Sequence, residues 1–192
     1  ATARVGQPEV HLGIPPGAGG TVRLPRVVGV QKALEIMVSG NPISAQEAHS
    51  YGLVDEIFEG DLKEGAIAFA RKIVAEGRPL VKIRDKNEKL EEAKNDTDLF
   101  NNFRKSIARK SRGFKAPEAI IRCVEGAVNL PFDEAMKNEQ RIFQECHDSP
   151  ESEAQRYFFF IERLANKIPD IPKDSPTRQI EKVGILGAGT ID

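Results

Sequence analysis

Residues 6–26 read GQPEVHLGIPPGAGGTVRLPR, and this segment carries the strongest structural signal in the chain. Its many glycines and prolines predict a series of tight turns. A strand-like run over residues 2–5 leads into the turns, and a short helix is predicted over residues 17–27. The segment therefore places Glu9 on a rigid loop, directly before a glycine-rich turn and the start of a helix.

Helical periodicity dominates the rest of the chain. Apolar residues three and four apart predict a helix over residues 30–39, and Ser44 and Glu47 form a capping box that predicts the start of another. Residues 53–57 are predicted to form a short strand. The dense charge of residues 84–98 predicts an exposed helix or a mobile excursion. Four later helices are indicated by apolar residues at helical spacing, near residues 62–73, 120–128, 132–143 and 150–168.

The last predicted helix has an apolar face. This face comprises Ala154, Phe158, Ile161, Ala165 and Ile168. The chain is therefore predicted to be mostly α, with a few short strands that are too few for an independent sheet. Both ends read as cut, so an α/β parent domain would have its main sheet upstream of residue 1.

The composition argues against several classes of protein. Among 192 residues, Lys and Arg number 28 and Asp and Glu number 29, and this balance argues against a dedicated nucleic-acid binder. No apolar run is long enough for a membrane span, and the N-terminus lacks the pattern of a signal peptide. Cys123 and Cys146 are isolated and lack metal-ligand spacing, so we expect reduced thiols, an intracellular protein and no metal site.

Glu9 is the first candidate for chemistry. A carboxylate held on a rigid turn in front of a helix N-terminus suits proton transfer, although a solvated turn residue or a helix cap has the same pattern. His11 lies two residues further on, so an acid–base pair is conceivable. A packed or partly exposed histidine is the favoured interpretation, because no nucleophile stands nearby.

Two further segments could bind an anion. The glycine turn, PGAGGT at residues 16–21, can cradle a phosphate or hold a water. It lacks the Lys of a P-loop, and its glycines could equally allow a close helix approach. Residues 104–115 contain six basic residues and no acidic one. They could meet the phosphates of a nucleotide-bearing ligand, but a solvated helix face is favoured.

The C-terminal residues have the pattern that opens a dinucleotide-binding fingerprint. Gly187 and Gly189 follow an apolar run as in G-x-G-x-x-G, but Asp192 occupies the position of the third glycine. Because the pyrophosphate needs the N-terminus of a following helix, we expect this incomplete NAD fingerprint not to bind NAD by itself.

Residues 6–26 resemble the crotonase (enoyl-CoA hydratase/isomerase) superfamily over a stretch too long for chance. The resemblance continues through ALEIM at 33–37, SG at 39–40, ISA at 43–45, EA at 47–48 and GLVD at 52–55. Residues 182–190, KVGILGAGT, look like the start of an L-3-hydroxyacyl-CoA dehydrogenase domain. This order is similar to that of the bifunctional fatty-acid β-oxidation enzymes, in which a helical linker joins the two activities.

The resemblance implies a domain order for the chain. Residues 1–112 would be the C-terminal part of a crotonase-like hydratase/isomerase domain, and residues 113–170 would be its helical linker. Residues 171–181 would form an extended connector, and residues 182–192 the first strand and truncated glycine-rich turn of an NAD-binding dehydrogenase domain. The parent fold would be the α/β crotonase fold, and the match is weakest over residues 78–112.

The resemblance also implies roles for individual residues. Glu9 would be one of two family glutamates that flank the C2–C3 bond of an enoyl-CoA thioester. It would protonate C2 while its partner helps a water attack C3, and the backbone of Gly17 would help to position that water. In the family, the second glutamate belongs to a Gly-Gly-Gly-x-Glu segment that would lie upstream of residue 1. Both backbone donors of the oxyanion hole also come from upstream segments. The isolated chain is therefore expected to have no appreciable hydratase activity.

The family sets further expectations. The substrate would be an acyl-CoA, the hydratase step would need no cofactor, and NAD would serve only the dehydrogenase domain. A Δ3-Δ2-enoyl-CoA isomerase and a non-catalytic helical scaffold remain alternatives. Exposed helix faces would favour self-association. The enzyme would be cytoplasmic in a bacterium or peroxisomal in a eukaryote.

Overall fold

Helices form the bulk of the chain in the computed structural model, which describes residues 2–165, 167–169, 171–172, 174–184 and 187. The described helices are α1 (Gly20–Val28), α2 (Val30–Ser39), α3 (Ala45–Ser50), α4 (Leu62–Ala75), α5 (Glu88–Lys94), α6 (Leu99–Ile107), α7 (Ala116–Asn129), α8 (Phe132–His147) and α9 (Pro150–Ala165). Strands β1 (Arg4–Val5) and β2 (Ile43–Ser44) and the 3-10 helices Pro8–Leu12 and Ile83–Asp85 complete the described elements. The prediction of a mostly α chain is confirmed.

The two short strands join the beginning of the chain to the start of α3. They pair antiparallel, with Arg4 opposite Ser44 and Val5 opposite Ile43. Ser44 caps α3 as predicted: its hydroxyl accepts a hydrogen bond from the Glu47 N–H at 3.2 Å, and its own N–H donates to Glu47 Oε2 at 2.8 Å. This pairing fixes the backbone just before the loop that carries Glu9.

The prediction of a strand over residues 53–57 is wrong. The Leu53 N–H donates to the Ala48 carbonyl at 2.8 Å, and Gly52 adopts a φ of +75°. Residues 52 and 53 therefore close the C-terminal end of α3. In the part of the chain that the structure describes, β1 pairs instead with the residues that precede α3.

The main apolar core holds α1, α2, α5 and α7 together. Its fully buried members include Leu34 and Met37 of α2 and Ile120, Ile121 and Val124 of α7. Burying one such side chain contributes about 2 kcal/mol. Because α7 packs on both α1 and α2, residues predicted to be a linker share a core with the helix that follows the glycine turn.

Helix α5 is more deeply buried than predicted. Leu90 and Ala93 are only 3% and 7% exposed, and both enter the main core. The other positions of this seven-residue helix are charged. Side chains three residues apart share one face of a helix, so two apolar residues at this spacing are enough to bury that face.

Helix α9 packs on the rest of the protein through its N-terminal part. It contacts α8 and the 3-10 helix Pro8–Leu12, and its buried residue is Ser152, near its start. The predicted apolar face is exposed along its length, at Ala154, Phe158, Ile161, Ala165 and Ile168. The helix is anchored through its first turns, so the apolar residues further along remain in contact with solvent.

Candidate active site

Glu9 lies on a short 3-10 helix whose ends are fixed by the local sequence. Pro8 occupies its first position, and Gly13 closes it in the left-handed conformation, with a φ of +72°. The Gly13 N–H donates to the Val10 carbonyl at 3.1 Å, and the Ile14 N–H donates to the Glu9 carbonyl at 3.3 Å. The rigid loop predicted around Glu9 is therefore a single 3-10 turn with a glycine cap.

The Glu9 carboxyl group points inward. The residue is half-buried, and its Oε2 is a buried atom without a hydrogen-bond partner among the described residues. Gln7 Oε1, two residues earlier, is buried and unpartnered in the same way. Buried polar oxygens usually accept a hydrogen bond. An unsatisfied buried carboxylate oxygen is unusual, and it marks Glu9 as a candidate for proton transfer.

The glycine turn adopts a backbone that few residue types tolerate. Ala18 and Gly19 both have positive φ values, +54° and +83°. The Gly20 N–H donates to the Gly17 carbonyl at 3.0 Å, and Arg23 Nη1 donates to the Ala18 carbonyl at 2.6 Å. Within the described part of the chain the Gly17 N–H has no protein acceptor. The Ala18 N–H likewise has no protein acceptor among the described residues, so the turn leaves two backbone donors open, one of them the Gly17 N–H.

The turn borders both the Glu9 loop and helix α8. A Cβ at Gly20 would lie 2.5 Å from Gln7 Nε2, so the Gln7 side chain packs against the first residue of α1. Gly17 and Ala18 line a cleft of about 460 Å³ whose other wall is α8. A Cβ at Gly17 would lie 3.4 Å from the Phe143 ring. Glu9 is not part of this cleft.

The start of α1 is occupied by a carboxylate of the chain itself. Glu139 of α8 accepts hydrogen bonds from the Gly19 N–H at 2.6 Å and from the Thr21 N–H at 3.0 Å. These two donors are therefore not available to an external phosphate, which argues against the phosphate-cradle interpretation of the glycine turn. Sequence reasoning missed Glu139, although a glutamate on the same helix face as buried Ala135 and Ile142 was a usable signal.

His11 does not form a pair with Glu9. Its ring lies against the C-terminal cap of α2, where a Cβ at Gly40 would be 2.5 Å from His11 Nε2. The residue is exposed, and its carbonyl accepts a hydrogen bond from Gln155 Nε2 at 3.4 Å. The favoured interpretation of a partly exposed histidine is confirmed by this geometry.

The basic segment 104–115 is partly neutralised within the protein. Arg104 binds Glu125 and Glu118 at 2.7 and 2.8 Å, and Lys115 binds Glu151 at 2.9 Å. The hydrogen bonds that Arg104 donates to Glu125 and Glu118 raise its pKa. The remaining basic residues of the segment are exposed, as expected of a solvated surface.

The cysteines have the character of buried apolar residues. Burial, with a smaller effect of the nearby Glu139 charge, raises the pKa of the Cys123 thiol to about 12. Burial also raises the pKa of Cys146. Neither is a thiolate at neutral pH. The described residues contain no cluster of three His, Cys, Asp or Glu side chains that could hold a metal, and no described helix is long and apolar enough to cross a membrane.

The predicted NAD fingerprint is only partly visible. Gly187 has a φ of +86° and open space around it, whereas Gly189 lies outside the described residues. Residues 181–184 and 187 are exposed and form neither strand nor helix.

Comparison with known proteins gives consistent matches. The model of the enoyl-CoA hydratase/isomerase family matches residues 1–115. The chain is 36% identical to the peroxisomal bifunctional enzyme of Homo sapiens, over 100% of the chain and 27% of that protein. It is 37% identical to the enzyme of the same name from Danio rerio, over 98% of the chain and 26% of that protein.

The chain is also similar to a plant protein. The chain is 38% identical to the glyoxysomal fatty acid beta-oxidation multifunctional protein MFP-a of Cucumis sativus, over 98% of the chain and 26% of that protein. The chain thus spans about a quarter of the length of the curated relatives it matches, with shares of 27% and 26%.

Proposed function

Because the chain belongs to the enoyl-CoA hydratase/isomerase family, we propose that it is part of a bifunctional fatty-acid β-oxidation enzyme and carries one carboxylate of the hydratase site. Relatives named bifunctional or multifunctional match it over nearly its whole length. The observation that carries the proposal is the buried, unpartnered Oε2 of Glu9. The substrate would be an enoyl-CoA thioester.

Hydration needs a proton at C2 and a water oxygen at C3. Protonated Glu9 would donate to C2, while a second carboxylate of the full-length protein takes a proton from the attacking water. The electron pair of the C2=C3 bond passes towards the thioester oxygen and returns to C2 as the new C–H bond forms. Because no protein donor holds Glu9 Oε2, the transfer requires no internal hydrogen bond to break. The free N–H of Gly17 would hold the water.

The isomerase alternative uses the same carboxylate. Migration of a double bond from C3 to C2 needs chiefly Glu9, whereas hydration needs both carboxylates. The sequence KVGILGAGT at residues 182–190 favours hydration, because a 3-hydroxyacyl-CoA is the product of that step and the substrate of the dehydrogenase that the segment resembles.

The remaining assignments concern parts of the protein outside the site. Residues 1–112 would belong to the hydratase domain and residues 113–170 to its linker, followed by the connector 171–181 and the dehydrogenase start 182–192. The hydratase step would use no cofactor, and NAD would act in the dehydrogenase part. The compartment would be peroxisomal in a eukaryote, in line with the names of the relatives, and cytoplasmic in a bacterium. Exposed residues such as Phe158 on α9 would favour self-association.

The test is hydration of crotonyl-CoA by the full-length protein that contains these residues. Glu9→Gln is expected to lower kcat by about 10²- to 10⁴-fold, the usual contribution of a general acid or base, while acyl-CoA binding persists. Glu92→Gln, on the exposed side of α5, is the matched control and should change neither quantity.

Each other outcome has a separate meaning. If Glu9→Gln hydrates crotonyl-CoA at the rate of the wild type, the proposed role of Glu9 is refuted. Conversion of a 3-enoyl-CoA without hydration of crotonyl-CoA would favour the isomerase. Failure of both the wild type and Glu9→Gln to bind acyl-CoA would favour the scaffold.

A further inference from the structure

We infer that Glu139 of α8 is a positioning residue that holds the glycine turn in the orientation needed for water attack, an inference that rests on the proposed hydratase function. Its side chain is 2% exposed. Its first hydrogen-bond donor, the Gly19 N–H, lies 120 residues earlier in the sequence. A buried carboxylate that binds a strained turn distant in the sequence is expected to hold that turn in place.

Both oxygens of Glu139 are used at the start of α1. Oε1 accepts from the Gly19 N–H at 2.6 Å, and Oε2 accepts from the Thr21 N–H at 3.0 Å and from the Thr21 hydroxyl. A negative charge is favourable at this end of a helix, where backbone N–H groups lack carbonyl partners. The carboxylate therefore orients the first peptide groups of α1.

The turn needs this support because its own backbone is unfavourable. Ala18 is a non-glycine residue in the left-handed region, at a φ of +54°, and Gly19 follows at +83°. Such conformations persist only where their surroundings enforce them. Helix α8 also approaches closely, since a Cβ at Gly19 would lie 2.9 Å from Met136 Sδ. Fixing Gly19 fixes Gly17, whose carbonyl accepts from the Gly20 N–H at 3.0 Å.

Glu9 is supported by different contacts. Its 3-10 helix is tied to α9, where the Ser152 hydroxyl donates to the Leu12 carbonyl at 2.8 Å. The turn and the Glu9 loop touch through Gln7, but each has its own anchor, Glu139 on α8 for the turn and Ser152 on α9 for the Glu9 helix. Loss of the Glu139 contact is expected to impair the attack of water and to spare proton transfer at C2.

Two reactions of the full-length protein separate these steps. Hydration of crotonyl-CoA needs the turn and the carboxylate. Exchange of a C2 hydrogen of butyryl-CoA with solvent deuterium needs the carboxylate but no attacking water: the carboxylate removes the proton to give an enolate and returns a deuteron. Glu139→Gln is expected to lower kcat for hydration by about 10- to 100-fold with KM unchanged, and to leave the exchange rate within about twofold of wild type.

Two control variants accompany this measurement. Glu9→Gln should lower both reactions. Val124→Ala, in the main core, removes buried volume without touching the turn and should change neither reaction. An intact hydration rate in Glu139→Gln, or an equal loss of both reactions, would overturn the inference. A wild-type protein that performs neither reaction would refute the proposed function instead.

A second pair of variants decides the matter if Glu139→Gln does not fold. Thr21→Ser keeps the hydroxyl that donates to Glu139 Oε2, whereas Thr21→Val has a similar shape without it. Hydration by Thr21→Val should be at least about threefold slower than by Thr21→Ser, with equal C2 exchange, because a partly released carboxylate holds the turn less firmly. Equal hydration rates in the two variants would contradict the inference.

Discussion

The Ser152 hydroxyl donates a hydrogen bond to the Leu12 carbonyl at 2.8 Å, across 140 residues of sequence. Leu12 is the last residue of the 3-10 helix that carries Glu9, and Ser152 is fully buried near the start of α9. A Cβ at Gly13 would lie 2.8 Å from Ser152 Cα, so the two backbones meet at this point. The position of the Glu9 helix therefore depends on α9.

Ser152→Ala is expected to loosen the loop around Glu9. The Leu12 carbonyl loses its donor, and an unsatisfied partly buried carbonyl costs about 1–2 kcal/mol. Amide hydrogen exchange in peptides covering residues 8–16 should accelerate by about tenfold, as followed by mass spectrometry. Ser106→Ala is the control, since that exposed hydroxyl donates to the Phe103 carbonyl of its own helix. Unchanged exchange in Ser152→Ala would contradict the prediction.

Much of the fold could be predicted because its signals are local. The apolar spacing over 30–39 matches α2, Val30–Ser39, and the capping box at Ser44 begins α3. Pro117 lies in the first turn of α7, as its fixed backbone angle favours. Each of these features depends on residues within about one helical turn, so the sequence contains the whole signal.

The predictions failed where the structure of a segment depends on contacts with residues that are distant in the sequence. Residues 53–57 have the composition of a strand, but β1 pairs with Ile43–Ser44, and local propensity cannot make that choice. Glu139 stands out as polar on an apolar face, yet its contact with Gly19 could not be found from spacing alone.

Arg104 joins α6 to α7 through two carboxylates. Its Nη1 and Nη2 reach Glu125 at 2.7 and 2.9 Å, and its Nε donates to Glu118 at 2.9 Å. Arg104→Lys is expected to lower the free energy of unfolding by about 1 kcal/mol, because one ammonium group cannot reproduce the forked contacts. Urea denaturation followed by circular dichroism measures the difference.

The neighbouring residue provides the control for this change. Lys105 is exposed, so Lys105→Ala should change the free energy of unfolding by less than about 0.5 kcal/mol. Equal effects of the two substitutions would mean that the Arg104 ion pairs contribute no more than an ordinary surface charge. The Arg104 difference should also shrink in high salt, since the partners are partly exposed.

The buried thiol of Cys123 is expected to make the folded protein less stable in alkaline solution. Burial raises the pKa of its thiol to about 12 in the folded protein, whereas an exposed thiol ionises near pH 8.5. Above about pH 8.5 the unfolded state releases this proton and the folded state keeps it, so ionisation favours unfolding. The contribution to the free energy of unfolding is constant below that pH and falls by about 1.4 kcal/mol per pH unit until the folded thiol itself ionises.

Comparison with Cys123→Ala isolates this effect from other groups that titrate in the same range. The variant loses buried volume and is less stable at neutral pH, but it has no thiol to ionise. Its urea midpoint should therefore fall less steeply than that of the wild type between about pH 9 and pH 11. Parallel profiles for the two proteins would show that the Cys123 thiol is accessible to water in the folded state, contrary to its complete burial.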